Sequence, residues 1–286
     1  MEKIAVVTDS TAYIPEQVKK GLPIFTIPLH VNLGGKTYDD GVDLQPQEFY
    51  ERIKTEKEIP QTSQATPSEI FNFYKNLLEQ GYKIISIHLS EKLSSTLDAA
   101  KIAKKELSSA KIELVDSQTA AAALAFHVVE AAKAVVAGAS LGEVKALAEN
   151  MRQHTHIYFI PGSLEFLQRG GRIGGAAAFL GSILQIKPLL ENHDGIIDAV
   201  EKVRTMSRAM SRLIDLVEKK VGDSSDIHLA GLYADIPEMA DQIVTLAIER
   251  LGIERIKDSF ITTISPVLGT HIGPGSVGLA YMYGVS

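Results

Sequence analysis

Three short, β-branched runs in the first half of the chain end in the same kind of junction. "IAVVTDST" begins at Ile4, "IISIHLSEKLSST" at Ile84 and "IELVDSQT" at Ile112. Each run is brief, continuous and apolar, the signature of a strand buried on both faces. Each is followed by a helical pattern: Pro15 to Lys20, then "STLDAAKIAKKEL", then the Ala-rich "QTAAAALAFHVVEAAKAVVAG" closing at Gly138. Strands that alternate with helices argue for a parallel sheet with helices on its faces. Ligands of open parallel sheets bind beyond the carboxyl ends of the strands. The hydroxyl-rich junctions are therefore the first place to look for a site.

Between these runs, "IFTIPLHVNL" reads as a strand, "GGKTYDDG" as a turn and "LQPQEFYERIK" as a helix. A polar loop from Pro60 leads into "SEIFNFYKNLLEQG", an amphipathic helix that Gly81 stops. A strand "HIYFIP" opens a different regime. There follow a short helix, a Gly/Arg loop, a small-residue helix and a hairpin turning at Asp194–Gly195. Helices and strands then alternate until a Gly-rich loop, "GTHIGPGS", enters a last strand. A length of 286 residues suits about two domains. The expected architecture is an N-terminal parallel-sheet α/β/α domain over 1–153 and a C-terminal α+β domain over 154–286.

The net charge of −6 makes nucleic acid a poor partner. It leaves at most a transient contact with a membrane surface. The absence of cysteine removes disulfides, thiol nucleophiles and Cys-based metal sites. No apolar run reaches the ~18 residues of a membrane helix, and the N-terminal run is too short for a signal peptide. These features point to the cytoplasm.

The hydroxyls sort into structural and unassigned groups. Thr66–Pro67–Ser68–Glu69 is a capping box, so Thr66 and Glu69 start a helix. Thr62 and Ser63, upstream of it, are not needed by the cap. Ser95–Thr96–Leu97–Asp98 fits a relaxed box with Ser95 at the cap. Ser94 is then left beside free N–H groups that suit a carboxylate or phosphate. Asp116 or Ser117 reads as the cap of the Ala-rich helix. Asp9 ends a buried strand, where bracing neighbouring loops is its expected role, ahead of metal binding or base catalysis.

His154 and His156 share one face of a strand, but no third ligand accompanies them, so no metal is expected. His271 in "GTHIGPG" is either packed in a tight turn or a donor to an anionic group. Arg169 and Arg172, around two glycines, could recognise an anion or a partner. Arg204 reads as a surface contact. A serine esterase using Ser94 and His271 is the rival enzyme reading, although no G-x-S-x-G elbow is present. No P-loop appears either, so unaided phosphate transfer from a nucleotide is not expected.

In order along the chain, "TDST", "QTSQATPSE", "HLSEKLSSTLDAA", "LVDSQTA", "LEFLQRGGRIG", "IKPLL" and "SPVLGTHIGPGSVGLAY" resemble the DegV family of fatty-acid-binding proteins. The resemblance implies a DegV-like fold and a carrier, non-catalytic alone. It would bury a long-chain fatty acid and present the carboxylate to the separate catalytic subunit of a bacterial fatty-acid kinase. It implies that Thr62 and Ser94 hold the carboxylate and that His271 lies near the head group. It also implies that Arg204 engages the partner, with Arg172 and Ser63 as further contacts. Ser95 stands where the family usually has Gly, and its backbone N–H could still serve. No cofactor beyond the bound fatty acid is implied. The small-residue and Ala-rich helices could line the acyl tunnel. A carrier of another amphipathic lipid, with no kinase partner, is the remaining alternative.

Overall fold

A computed structural model describes residues 2–55 and 59–285. The elements run β1 (Ile4–Asp9), α1 (Glu16–Lys19), β2 (Ile24–Ile27), β3 (His30–Leu33), β4 (Lys36–Asp39), α2 (Pro46–Ile53), β5 (Gln61–Ser63), α3 (Pro67–Glu79) and β6 (Lys83–His88). They continue with α4 (Thr96–Glu106), β7 (Ile112–Asp116), α5 (Ala121–Val136), α6 (Leu141–Asn150), β8 (Thr155–Ile160) and α7 (Leu164–Arg169). A 3-10 segment, Gly174–Gln185, precedes β9 (Lys187–His193), β10 (Ile196–Val203), α8 (Met206–Val221), β11 (Ile227–Tyr233), α9 (Pro237–Leu251), β12 (Ile256–Thr263), α10 (Pro266–Ile272) and β13 (Val277–Met282).

The three β-branched runs are β1, β6 and β7. With β2 they form a parallel sheet in the order β2-β1-β6-β7. Every residue of β1 is buried, as a two-sided cover of helices requires. The second sheet is mixed, in the order β10-β9-β8-β13-β11-β12, and all of its strands follow Thr155. The turn at Asp194–Gly195 has both residues at positive φ, 48° and 81°, which matches the twist of a two-residue hairpin.

Several local readings are corrected. "IFTIPLHVNL" is two strands in different sheets: Pro28, which has no N–H for a ladder, lies between β2 and β3. "GGKTYDDG" turns only at Gly34–Gly35 and then forms β4. The polar loop contains β5, which pairs with β3 so that Thr62 faces Val31. These strands make a small sheet, β4-β3-β5. The Ala-rich helix starts at Ala121 without a side-chain cap. Asp116 and Ser117 instead accept the N–H groups of Gln118 and Thr119 in the preceding turn.

Asp9 braces neighbouring loops. Its Oδ1 accepts from the Thr11 N–H and Oδ2 from the Leu89 N–H, at 3.1 and 2.9 Å, and Oδ2 pairs with His88 Nδ1 at 3.0 Å. Both side chains are fully buried, so these bonds replace the water a buried carboxylate gives up. No group of three metal-ligating side chains occurs among the described residues. Nor is any described helix long and apolar enough to cross a membrane.

Candidate functional site

The predicted residues converge from three directions. β5 carries Thr62 and Ser63, the loop after β6 carries Ser94 and Ser95, and α10 carries His271. These residues and Arg172 line one cavity of about 100 Å³, together with Leu29, Gln64 and Val267. Arg204, exposed after β10, and Arg169, ion-paired with Glu165, are not among its lining residues.

Thr62 is placed by the β3–β5 pairing. Its Oγ1 lies 2.8 Å from His271 Nε2. His271 sits in the last turn of α10, so the expected Gly-rich loop begins only at Gly273. Ser265 and Pro266 explain the helix: the Ser265 hydroxyl accepts the Leu268 N–H, and proline suits the first helical position. Gly170 lets the imidazole approach the neighbouring loop, because a Cβ there would overlap His271 Nδ1. Burial pushes His271 down to about 4, and nearby Arg172 acts in the same direction, so the ring is neutral near pH 7. Nδ1 is buried and has no hydrogen-bond partner.

At the start of α4 the roles of the two serines are exchanged. The Ser94 hydroxyl, not that of Ser95, accepts the Thr96 N–H at 3.2 Å and contacts Thr96 Oγ1 at 2.9 Å. Ser95 occupies the cap position with dihedrals in the bridge region (φ −82°, ψ 13°) and makes no side-chain cap. Ser94 is thus both the local brace and a cavity residue, with its side chain fixed. Arg172 also fastens the wall. Its guanidinium donates to the carbonyls of Leu93 and Gly170, at 3.1 and 2.7 Å.

The rival esterase geometry is not assembled. His271 pairs with Thr62, Ser94 pairs with Thr96, and Asp9 pairs with His88. The nucleophile–base–carboxylate chain that such chemistry needs is therefore divided among other partners.

A second cavity of about 80 Å³ adjoins the first and shares Leu93, Ile197, Leu268 and Ile272 with it. Its remaining wall is apolar apart from Asn192, with Ala120, Phe159 and Gly278 among the lining residues. Ala120 and Ala121 come from the start of the Ala-rich helix. The small-residue segment does not contribute through its described side chains. Phe179 and Leu180 pack against a cluster that includes Phe159, Leu190 and Ile197. The side chains of residues 181–185 lie outside the described residues. Sequence patterning missed Leu93, Ile197, Leu268 and Ile272 because an apolar side chain facing a void looks like any core residue.

The fold and the cavities define a class: a mixed α/β protein with a parallel sheet, a mixed sheet and two adjoining cavities, one with a hydroxyl-rich lining and one with an apolar lining. The sequence model described as an uncharacterised protein of the DegV family matches residues 3–284, and the chain belongs to that family. Protein DegV of Bacillus subtilis is 35% identical over 283 residues, covering 98% of this chain and 99% of that protein. Among solved structures, a DegV family protein from Thermus thermophilus, described by its fatty acid binding, aligns with a TM-score of 0.92 at 30% identity, covering 98% and 99% of the two chains. DegV from B. subtilis, described as a fatty acid binding protein, aligns with a TM-score of 0.89 at 32% identity, covering 99% and 100%.

Proposed function

We propose that this chain binds a long-chain fatty acid, with the carboxylate at Thr62, Ser94 and His271 and the acyl chain running into the dry cavity. The observation that carries the reading is the junction of the two cavities. A hydroxyl-lined cavity shares Leu93, Ile197, Leu268 and Ile272 with a second cavity whose wall is apolar apart from Asn192. Each buried methylene contributes about 0.8 kcal/mol, so the tail supplies most of the affinity and the head group needs only orientation.

His271 sets the polarity of the clamp. An orphaned buried N–H is less tolerable than an orphaned acceptor, which puts the proton on Nε2 and leaves the partnerless Nδ1 as a lone pair. Nε2–H then donates to Thr62, and the Thr62 O–H is free to donate to a carboxylate oxygen. Ser94, held by the Thr96 N–H, offers its own O–H. The Ser95 backbone N–H is a further donor at the helix start.

The carrier does no chemistry alone in this reading. It presents the carboxylate to a separate ATP-using kinase subunit, which Arg204 helps to engage, in a cytoplasmic reaction that forms an acyl phosphate. Arg172 and Ser63 border the head group. The 1–153 part acts as the domain carrying the carboxylate-binding loops, and the 154–286 part as the domain covering the acyl chain. Native mass spectrometry and solvent extraction of purified protein should yield a fatty acid. Protein that is free of lipid and also rejects added palmitate and oleate would overturn the reading. Incubation with kinase subunit and ATP separates it from a lipid carrier of another kind, since only the kinase reading yields acyl phosphate.

A further inference from the structure

Asp40 lies outside the cavity lining, yet its contacts reach both walls of the carboxylate site. It follows β4 and is 2% exposed. Its N–H donates to the Leu29 carbonyl at 2.8 Å. Its Oδ2 accepts from the Ser10 hydroxyl at 2.6 Å, and Ser10 Oγ in turn accepts from the Leu29 N–H at 3.1 Å. Leu29 lines the polar cavity and immediately precedes β3, the strand against which Thr62 is registered. On the other side, the Ser265 hydroxyl and the Val267 N–H face the carboxylate. Ser265 caps α10, the helix that carries Val267, Leu268, His271 and Ile272 into the cavity. Asp40 Oδ1 is buried and closes no hydrogen bond.

We propose that Asp40 is a positioning residue for the carboxylate clamp: it joins the strand that places Thr62 to the start of the helix that places His271, and its charge state adjusts that junction. The inference rests on the fatty-acid reading above. A carboxylate is well suited to the role because it can accept from Ser10, Ser265 and Val267 together, and none of these partners supplies a compensating charge.

The surroundings make the charge adjustable. Burial raises Asp40 to about 7, the Ser10 hydrogen bond and the facing Ser265 hydroxyl and Val267 N–H oppose this, and Asp9 adds to it. Asp9 is itself paired with His88. Tyr13 and Tyr50 also face Asp40; burial raises both phenols, and the negative charge of Asp40 adds to it. Glu16 and Lys19 of α1 line the outer pocket that Asp40 closes. His271, neutral until pH falls to about 4, does not titrate in the same range. Ionisation of Asp40 places a second negative charge beside Asp9 and opposes an incoming carboxylate, so fatty-acid affinity should fall as pH rises through about 7.

The test compares the parent protein, Asp40→Asn and Asp40→Ala, using displacement of a fluorescent fatty acid by palmitate from about pH 5.5 to 8.5. Asp40→Asn keeps the shape and should retain the affinity the parent shows at low pH, with a flat profile above it. Asp40→Ala, with its fold checked by thermal unfolding, should bind roughly tenfold more weakly at all pH values. An Asp40→Ala protein with the parent's affinity, or an Asp40→Asn protein with the parent's pH profile, overturns the proposal. The imidazole ¹⁵N shifts of His271 in the ligand-free protein read the same coupling. They should show a step near the Asp40 titration that Asp40→Asn abolishes. If the parent binds no palmitate, the proposed function fails, and the presence or absence of that ¹⁵N step still decides the role of Asp40.

Discussion

Replacing Thr62 by valine keeps the β-branched shape that β5 accepts and removes one hydroxyl. Two consequences follow from the geometry. In the free protein, His271 Nε2 loses its 2.8 Å partner, and Nδ1 already lacks one. A mostly buried imidazole with neither nitrogen satisfied costs about 1–3 kcal/mol of stability. In the complex, a hydrogen bond to a charged carboxylate is lost, worth about 1.5–3 kcal/mol, or a Kd about 10- to 150-fold higher. Binding should not vanish, because a dozen buried methylenes contribute on the order of 10 kcal/mol. The informative assay is a series of saturated fatty acids of increasing length, measured by displacement on the parent and on Thr62→Val. The variant's affinities should drop by one constant factor, with the increment per methylene unchanged, because the tail contacts are untouched. Adding Ser94→Ala should deepen the drop. A Kd within about twofold of the parent's, in a variant shown to be folded, refutes the assignment of Thr62. A changed increment per methylene would mean that Thr62 acts on the tail.

Three other outcomes are expected. His127 is buried, bonds the Ala148 carbonyl at 3.1 Å and is pushed down to about 4 by desolvation. The unfolded chain takes up the proton first, so its contribution is complete above about pH 6.5, and about 3 kcal/mol is lost as pH falls to about 4. Urea unfolding of His127→Gln should show a correspondingly shallower loss in acid. Ala120→Leu projects a side chain into the dry cavity and should shift preference toward shorter acids, about fourfold in affinity for each methylene excluded. Binding assays across chain lengths would show it. Arg204→Ala, at an exposed position outside the cavity, should leave palmitate affinity unchanged and lower acyl-phosphate formation by the kinase subunit at least tenfold, as measured by coupled turnover.

The parallel sheet was legible because buried strands and amphipathic helices have distinct periods, and capping chemistry is local. Thr66 and Glu69 form the capping box that their spacing predicts. What escaped was decided by distant partners. β5 has only three residues and exists because β3 pairs with it, and nothing in "QTS" advertises that. The exchange of Ser94 and Ser95 is a one-residue difference that local spacing does not resolve. "GTHIGPG" suggested a loop because three glycines dominate it, yet Ser265 and Pro266 upstream start a helix that carries Gly269 through. Gly269 is there for packing: a Cβ would meet the rings of Tyr50 and Phe49. Of the apolar cavity only the Ala-rich helix start was anticipated, since the rest of its wall is assembled from both halves of the chain.

The placement of Arg172 bears on why the clamp is uncharged. A guanidinium at the head group would hold a carboxylate by a bidentate pair, and in a dry site such a pair is released slowly. Here its donors are directed at the Leu93 and Gly170 carbonyls. It fastens the Ser94 loop to the α7 loop, and its charge adds to the burial that lowers His271. On the proposed reading, the site sets one fixed guanidinium beside neutral hydroxyls that serve as the direct ligands. That division keeps the carboxylate oriented and leaves its oxygens without a cationic partner to displace. On the proposed reading, a head group that is to accept a phosphoryl group needs that freedom, and burial of the tail against the apolar wall would supply the residence.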